Sequence, residues 1–525
     1  MTMTARIIRL DDAARAPLMR GVDLVADLAT TAIGPAGRAV LAGRNHTGPA
    51  MMRGGHAISQ EVEVDDPGCR AGVAAMRQVA WRTSDAVGDG TCTAILIARG
   101  ILREGMTALR AGISPGELEQ ALRAHGEAIA SELRASSRPA VGYGELVDLA
   151  VRAAGGDTVI GTLAAEAHRR TGREGVVIVT EGQGAEDDLE VRPGLHFDEG
   201  WLSPHFATDA EAGTADLENP LILLHHGPIE RLGPLLRVLE MMAEAGRSLL
   251  ICAGGFGAEA LGTLIVNKQR AGLKVVAVKA PGAGLWRMPM LEDIAAATGA
   301  TVIADAFGTS LDRLRPAALG RAESVRVTRD GMTLIGGAGD PDTIALRRNA
   351  IRLDIERERH LSFDREQHRQ RLARLSAGVA KLHVGGQSET VIRQRTARAA
   401  AASAAIRAAP GGLVPGGSAA LLHAGRLARK SLPAGLAGRL VGRVFDAALG
   451  APTEAIMANA GLDGRAIRHR LAEDANVDGF DVERRVFVPG EMILDPAEVL
   501  IAALRTGVSA GTTLFGVGAS VAECV

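Results

Sequence analysis

Aromatic side chains are scarce: three Trp, one Tyr and nine Phe make up 2% of the 525 residues, while hydrophobic residues as a whole reach 47%. Length and apolar content together call for about two to four domains, each with a core of its own. Lysine is nearly missing too, confined to Lys268, Lys274, Lys279, Lys381 and Lys430 against a large excess of arginine. That imbalance fits GC-rich coding and carries no chemistry. No surplus of either charge exists: the net charge is −2, and the arginines are interspersed with acids. The massed basic surface of a nucleic-acid partner is therefore not expected.

Cysteine is limited to Cys69, Cys92, Cys252 and Cys524, widely spaced, with no C-x-x-C pair and no neighbouring histidine pairs. Neither a zinc site nor a disulfide framework follows, and a reducing cytoplasm fits best. No uncharged apolar run approaches the roughly 18 residues of a membrane span, and Met1 to Leu10 lacks the apolar centre of a signal peptide. Secretion and membrane insertion are not expected.

What the chain does contain changes character along its length. Leu18, Val22, Val25, Leu28 and Ala32 recur at helical spacing until Gly34-Pro35, and a second apolar helix is expected from about Thr93 to Leu109. From about Gly175 the period shortens. Val176 to Val179, Leu221 to Leu224, Leu249 to Cys252, Val275 to Val278 and Val302-Ile303 read as buried strands with amphipathic helices between them, one carrying Leu232, Leu235, Leu236 and Leu239. The charge-dense stretch Arg352 to Arg374 reads as a solvated helical hairpin. Ala397 to Ala409, almost all alanine and arginine, is a strong helix former. Gly411 to Gly417 breaks it, and helix resumes to the C-terminus. The pattern is helical, then α/β, then helical, with the two ends folding together around an inserted middle.

The richest segment chemically is Val87-Gly88-Asp89-Gly90-Thr91-Cys92-Thr93. Glycines let backbone N–H groups approach phosphate oxygens, the helix start adds free donors, and a lone carboxylate suits a hard divalent cation. A Gly-rich turn capped by Thr is the plain alternative. Gly255-Phe256-Gly257-Ala258-Glu259-Ala260 imitates a dinucleotide fingerprint between strand and helix, which opens a nicotinamide oxidoreductase reading. The next strand ends in Val278-Lys279-Ala280-Pro281-Gly282, however, where an acid is wanted for the ribose. Phe197, Trp201 and Phe206 concentrate the rare aromatics, either as core beneath a loop or as an exposed protein-binding patch. His205 has no nucleophile motif beside it.

Taken in order, Thr31-Ala32-Ile33-Gly34-Pro35-Ala36-Gly37-Arg38, Gly88-Asp89-Gly90-Thr91, Phe197 to Pro204, Val278 to Gly282 and Ile493-Leu494-Asp495-Pro496 resemble the landmarks of the group I chaperonins, the bacterial GroEL family. The resemblance covers nearly the whole chain and implies a multidomain α plus α/β fold. It implies a helical equatorial ATP-binding domain at 1–135 and 411–525, a small intermediate hinge domain at 136–192 and 379–410, and an inserted α/β apical domain at 193–378. It further implies stacked seven-membered homo-oligomeric rings, a GroES-type co-chaperonin, non-native polypeptides as partners, ATP and Mg2+ as ligands with K+ a further candidate, and a cytoplasmic setting.

By the same resemblance Ala32, Ile33, Gly34 and Pro35 line the nucleotide and Asp89 carries the metal and serves catalysis. Gly90, Thr91, Cys92 and Thr93 cradle phosphates, Gly417 and Asp495 meet the ribose, and Arg53 stands where the family has lysine. Trp201, His205, Phe206, Leu236, Leu239, Leu261, Ile265 and Val266 match its apolar surface for client and lid. Two departures bear on activity: Gly54 and Ala401 occupy positions where the family has acids, the second being the group that positions the attacking water. Loss of such groups removes about 10² to 10⁴ from a rate. Glu199 also replaces a basic residue used in coupling subunits. The sequence therefore reads as an ATP-binding chaperone with slow hydrolysis, or alternatively as a non-cycling holdase or structural subunit of mixed rings.

Overall fold

One helix, Thr91–Arg110, organises the first half of the architecture. Its first twelve residues include Ile95, Leu96, Ile97, Ala98, Ile101 and Leu102, all fully buried, and a helix apolar on every side must lie inside other helices. The structure is a computed structural model and describes residues 6–44, 48–140, 142–172, 175–182, 184–209, 212–304, 309–357, 362–473, 479–490 and 492–523. Cys524 lies outside these; Cys69, Cys92 and Cys252 are free and buried. Contacts divide the chain into two units, one of residues 1–165, 181–187 and 383–525, the other of 166–180 and 188–382.

In the first unit, helices Asp11–Ala32, Pro67–Val87, Pro115–Ser136, Gly435–Asn459 and Ala497–Phe515 pack around or beside Thr91–Arg110. Asp11–Ala32 and Pro67–Val87 meet backbone to backbone: a Cβ on Gly72 would lie 2.1 Å from the Leu18 carbonyl oxygen. Asp11–Ala32 runs antiparallel to Thr91–Arg110. Asp12 pairs with Arg110 at 3.5 Å, Asp23 with Arg103 at 2.7 Å and Asp27 with Arg99 at 2.7 Å. That ladder brings the end of the first helix level with the first turn of the central one. Two small sheets complete the unit: Arg6–Leu10 with Ala519–Glu523, and the hairpin Val40–Arg44 with Gly48–Met52. Helical periodicity gave no sign of either.

The second unit holds most of a ten-stranded mixed sheet. Each strand expected from an apolar run is present. Val302–Ile303, Leu221–Ile229, Leu249–Phe256 and Val275–Lys279 lie side by side in parallel. The sheet continues through antiparallel strands Gly320–Val327, Met332–Gly337 and Asp188–Phe197, which the sequence reading did not anticipate. The charged stretch is a pair of packed helices, Pro341–Arg357 and Ser362–Ser376. Solvation is not its whole character, which corrects the expectation. Arg371, 3% exposed, donates to both oxygens of buried Asp293 at 2.7 and 2.8 Å, and Arg347 donates to Asp293 at 2.7 Å. Asp293 belongs to helix Arg287–Thr298, so one buried carboxylate ties both helices of the hairpin down.

Removing one partner of a buried ion cluster strands the others without compensation. Asp293→Ala is expected to cost about 3–5 kcal/mol, read as earlier urea unfolding and faster amide exchange in residues 341–376. Unchanged exchange there would contradict the clamp.

Candidate functional site

The Thr91–Arg110 helix begins without a side-chain cap. Gly90 is its N-cap residue, at φ 77°, and offers no side-chain acceptor. The backbone needs Gly here twice over, since a Cβ would also lie 2.8 Å from Val499 Cγ1. Thr91 does not cap the turn either, because its hydroxyl accepts the Gly55 N–H at 3.0 Å. The first N–H groups of a buried helix thus face the loop, at the positive end of the helix dipole. Asp89 stands in front of them, half-buried, with Oδ1 accepting the Gly90 N–H at 2.6 Å. Burial raises its pKa, against the pull of that N–H.

Elements distant in sequence converge on this turn. The Ile33–Gly37 loop arrives along the antiparallel helix. Gly34 sits at φ 82° with Ile456 3.0 Å from where a Cβ would be. Asn459 Nδ2 donates to the carbonyls of Thr30 at 2.7 Å and Ile33 at 2.9 Å. Sequence reading missed Asn459; its one signal is a lone amide at the end of an apolar helix. From another side, a Cβ on Gly55 would lie 3.0 Å from the Cys92 nitrogen. Gly54, just before it, has φ 92° and ψ 135° with nothing within 4 Å of a Cβ. The space is free, but that backbone region belongs essentially to glycine. Arg53 is exposed beside it.

Ala401 lies on helix Glu389–Ala408, three residues before Ala404 and on the same face. Ala404 closes on the loop, its Cβ 2.6 Å from where Gly88 would carry one. Asp495 comes from a third direction. Strands Leu413–Pro415 and Leu494–Pro496 pair with Val414 opposite Asp495, and its carboxylate accepts the N–H groups of Gly417 and Ser418. Gly417, at φ 65°, has open space beyond it. Burial first, then the charge of Asp89, push the Asp495 carboxyl up to about 6, against those two N–H groups and Arg152. Cys92 is pushed up to about 12 by burial, with Asp89 adding, so its thiol is inert. Two carboxylates that sense each other, glycine-lined space and uncapped helix N–H groups make a site suited to an anion accompanied by a cation. Among the described residues no three His, Cys, Asp or Glu cluster as a metal cage.

With that geometry in hand, comparison with known proteins is decisive for the family. The sequence pattern of the TCP-1/cpn60 chaperonin family matches residues 25–522. The chain belongs to this family. Among solved structures it is similar to the chaperonin gp146 from the bacteriophage EL 2 (Pseudomonas aeruginosa), determined in the presence of ATP-BeFx. Identity is 17%, the TM-score is 0.70, and 98% of each chain is covered. At that identity the likeness establishes the chaperonin fold, multidomain α plus α/β.

The second unit of this chaperonin carries the residues expected to form an apolar face, and it sorts them. Leu236 is 50% and Val266 46% exposed, and Leu202 joins them at 36%. His205 is exposed, its Nδ1 3.4 Å from Gln269 Nε2. Trp201, Leu261 and Ile265 are half-buried against the core, and Trp201 Nε1 donates to the Gly213 carbonyl at 3.2 Å. Phe206 and Leu239 depart from expectation: both are core residues, at 0% and 6% exposure. The Pro204–Phe206 turn directs Phe206 inward, and Lys268 Nζ donates to the Phe206 and Ala207 carbonyls, pinning it. Glu199 is half-buried and accepts the Gly282 N–H at 3.4 Å, with burial raising its pKa. At the dinucleotide-like turn, a Cβ on Gly257 would lie 2.6 Å from a Glu230 carboxylate oxygen; an acid there opposes a pyrophosphate. No helix among the described residues is long and apolar enough to cross a membrane.

Asp495 supplies a pH test. Its native pKa of about 6 exceeds the ordinary aspartate value, so the folded chain holds this proton more tightly than the unfolded one. The penalty is absent below about pH 4 and complete above the folded pKa, so stability falls as pH rises between them, by about 1–3 kcal/mol from this group. Asp495→Asn is expected to flatten that part of the nucleotide-free stability profile and to raise the melting temperature at pH 7. An unchanged slope would remove the strained acid pair from the account.

Proposed function

We propose that this chain is a divergent group I chaperonin subunit that binds ATP with Mg2+, assembles into rings, captures non-native polypeptides and hydrolyses ATP slowly. The observation that carries this reading is the uncapped start of the Thr91–Arg110 helix with Asp89 before it. Mg2+ is commonly held by one or two carboxylates together with substrate phosphates, and a lone Asp89 fits that habit. A nucleotide fits the site on two further grounds: the space beyond Gly417 is open, and Asp495 stands beside it. Bound Mg2+ would offset phosphate charge. For the chain's own part, Gly90 to Thr93 present N–H groups to phosphates, Ala32 to Pro35 line one side, and Gly417 and Asp495 hold the ribose end.

Hydrolysis is the weak step in this reading. Glycine and alanine at 54 and 401 neither accept a proton nor orient water. Both substitutions also favour the second reading, a holdase or structural subunit for which ATP is a lasting ligand. Ring formation is supported by the two small sheets of the first unit, whose Ile8, Leu10, Leu41, Met51 and Val521 are exposed apolar residues at strand edges. Client and GroES-type lid binding is supported by Leu202, Leu236 and Val266 on the second unit. The three-part division into equatorial, intermediate and apical domains, and a cytoplasmic setting, belong to the same proposal.

The two lost acids are not equally reversible. Ala401 is half-buried in a regular helix and accepts Asp without backbone change, whereas Asp at 54 meets the positive φ. Ala401→Asp is expected to raise steady-state ATP turnover about 10²-fold while ATP affinity by calorimetry stays within a few-fold. Wild-type turnover equal to that of ordinary chaperonins would overturn the slow-hydrolysis reading. So would an Ala401→Asp protein that binds ATP and gains nothing.

A further inference from the structure

The segments that carry Gly54 and Ala401 have not simply gone neutral. Each brings a basic group with no protein partner. His56 follows Gly54-Gly55, and its Nδ1 is buried without a hydrogen bond. Arg407 lies on the Ala401 helix, six residues further along and one turn beyond Ala404. Its Nη2 is 3.3 Å from where a Cβ on Gly88 would lie, yet no hydrogen bond or ion pair reaches it among the described residues. Asp89 and Arg407 flank Gly88 without pairing. The side chain as a whole is exposed, and crowding of its guanidinium by the loop lowers its pKa from that of ordinary arginine. An exposed guanidinium with no protein anion beside it is free to pair with an anionic ligand that reaches the loop.

The loop decides which anion. Gly88 precedes Asp89, so the guanidinium is held one residue from the only carboxylate of the turn and on the face closed by Ala404. A planar guanidinium matches the oxygens of a phosphate and binds it with charge-assisted hydrogen bonds. On the ATP-site reading, on which this inference rests, the Ala401 side of the loop faces the terminal phosphate. We propose that Arg407 is the residue that reads that terminal phosphate, so that the site separates triphosphate from diphosphate by anion capture. Hydrolysis is not needed for the distinction.

Equilibrium binding of ATP, ADP and a non-hydrolysable ATP analogue to the full-length protein with Mg2+ tests this, comparing wild type with Arg407→Ala and Arg407→Lys. Arg407→Ala is expected to weaken both triphosphates about 10-fold, the size of one good charged contact, and to leave ADP within two-fold. Unchanged ADP binding also reports an intact fold. Arg407→Lys should recover part of the loss. Equal weakening of ATP and ADP, or no weakening of either, would overturn the role of Arg407 while leaving the ATP site standing. A wild-type protein that binds neither nucleotide would instead overturn the proposed function, and this inference with it.

Discussion

The first turn of the Thr91–Arg110 helix is left uncapped inside a packed unit, and much of the first unit is arranged around that fact. Four N–H groups at a helix start lack internal partners, and a buried one left unmet costs about 1–3 kcal/mol. The usual remedies are absent. Gly90 has no side chain, the Thr91 hydroxyl is spent on Gly55, and Asp89 uses one oxygen on Gly90. Even the neighbouring surfaces are smoothed: glycines at 34, 55, 88 and 90 bring Ile456, Cys92, Ala404 and Val499 so close that most side chains would collide. Such an end is electropositive, and the folded chain tolerates it because the surrounding helices supply the stability.

How readable this was depends on sequence distance. The helices, the parallel strands and the Gly88-Asp89-Gly90-Thr91 turn rest on short-range rules, periodicity and local glycine, and these are written in consecutive residues. The antiparallel strands were missed because Gly320–Val327 alternates buried Ala322, Val325 and Val327 with charged Arg321, Glu323 and Arg326, breaking the apolar run that marks its parallel neighbours. Asn459, Arg407 and the pairing of Val414 with Asp495 depend on contacts across long stretches of chain. No local pattern encodes them. The family resemblance placed Asp495 in the site, but the charge it exchanges with Asp89 is visible only once both are set in space.

The apolar face shows a subtler limit. An amphipathic helix announces which side is apolar but not how much of that side is covered. On Leu236–Glu244, Leu236 is open and Leu239, one turn later, is sealed. The difference lies in what packs above each, and that is a property of the assembled unit. Phe206 is a sharper case: Lys268 holds the successive carbonyls of Phe206 and Ala207 at the end of the turn, so this fully buried ring is fixed there by a cation rather than by its own hydrophobicity alone.

Gly54 and Ala401 look alike in sequence, each a small residue where an acid is expected, yet they differ physically. At 401 a side chain is missing from an unchanged helix. At 54 the backbone itself occupies a region that an acid would enter only under strain of about 1–3 kcal/mol, and it is this turn that sets Gly55 against Thr91 and Cys92. The glycine therefore belongs to the packing of the uncapped helix end. Once that turn depends on glycine, the remaining electrostatics shift: two carboxylates, Asp89 and Asp495, repel across the site, and Arg407 waits unpaired at its edge. Positive charge placed between Asp89 and Asp495, or a proton on one of them, relieves that repulsion.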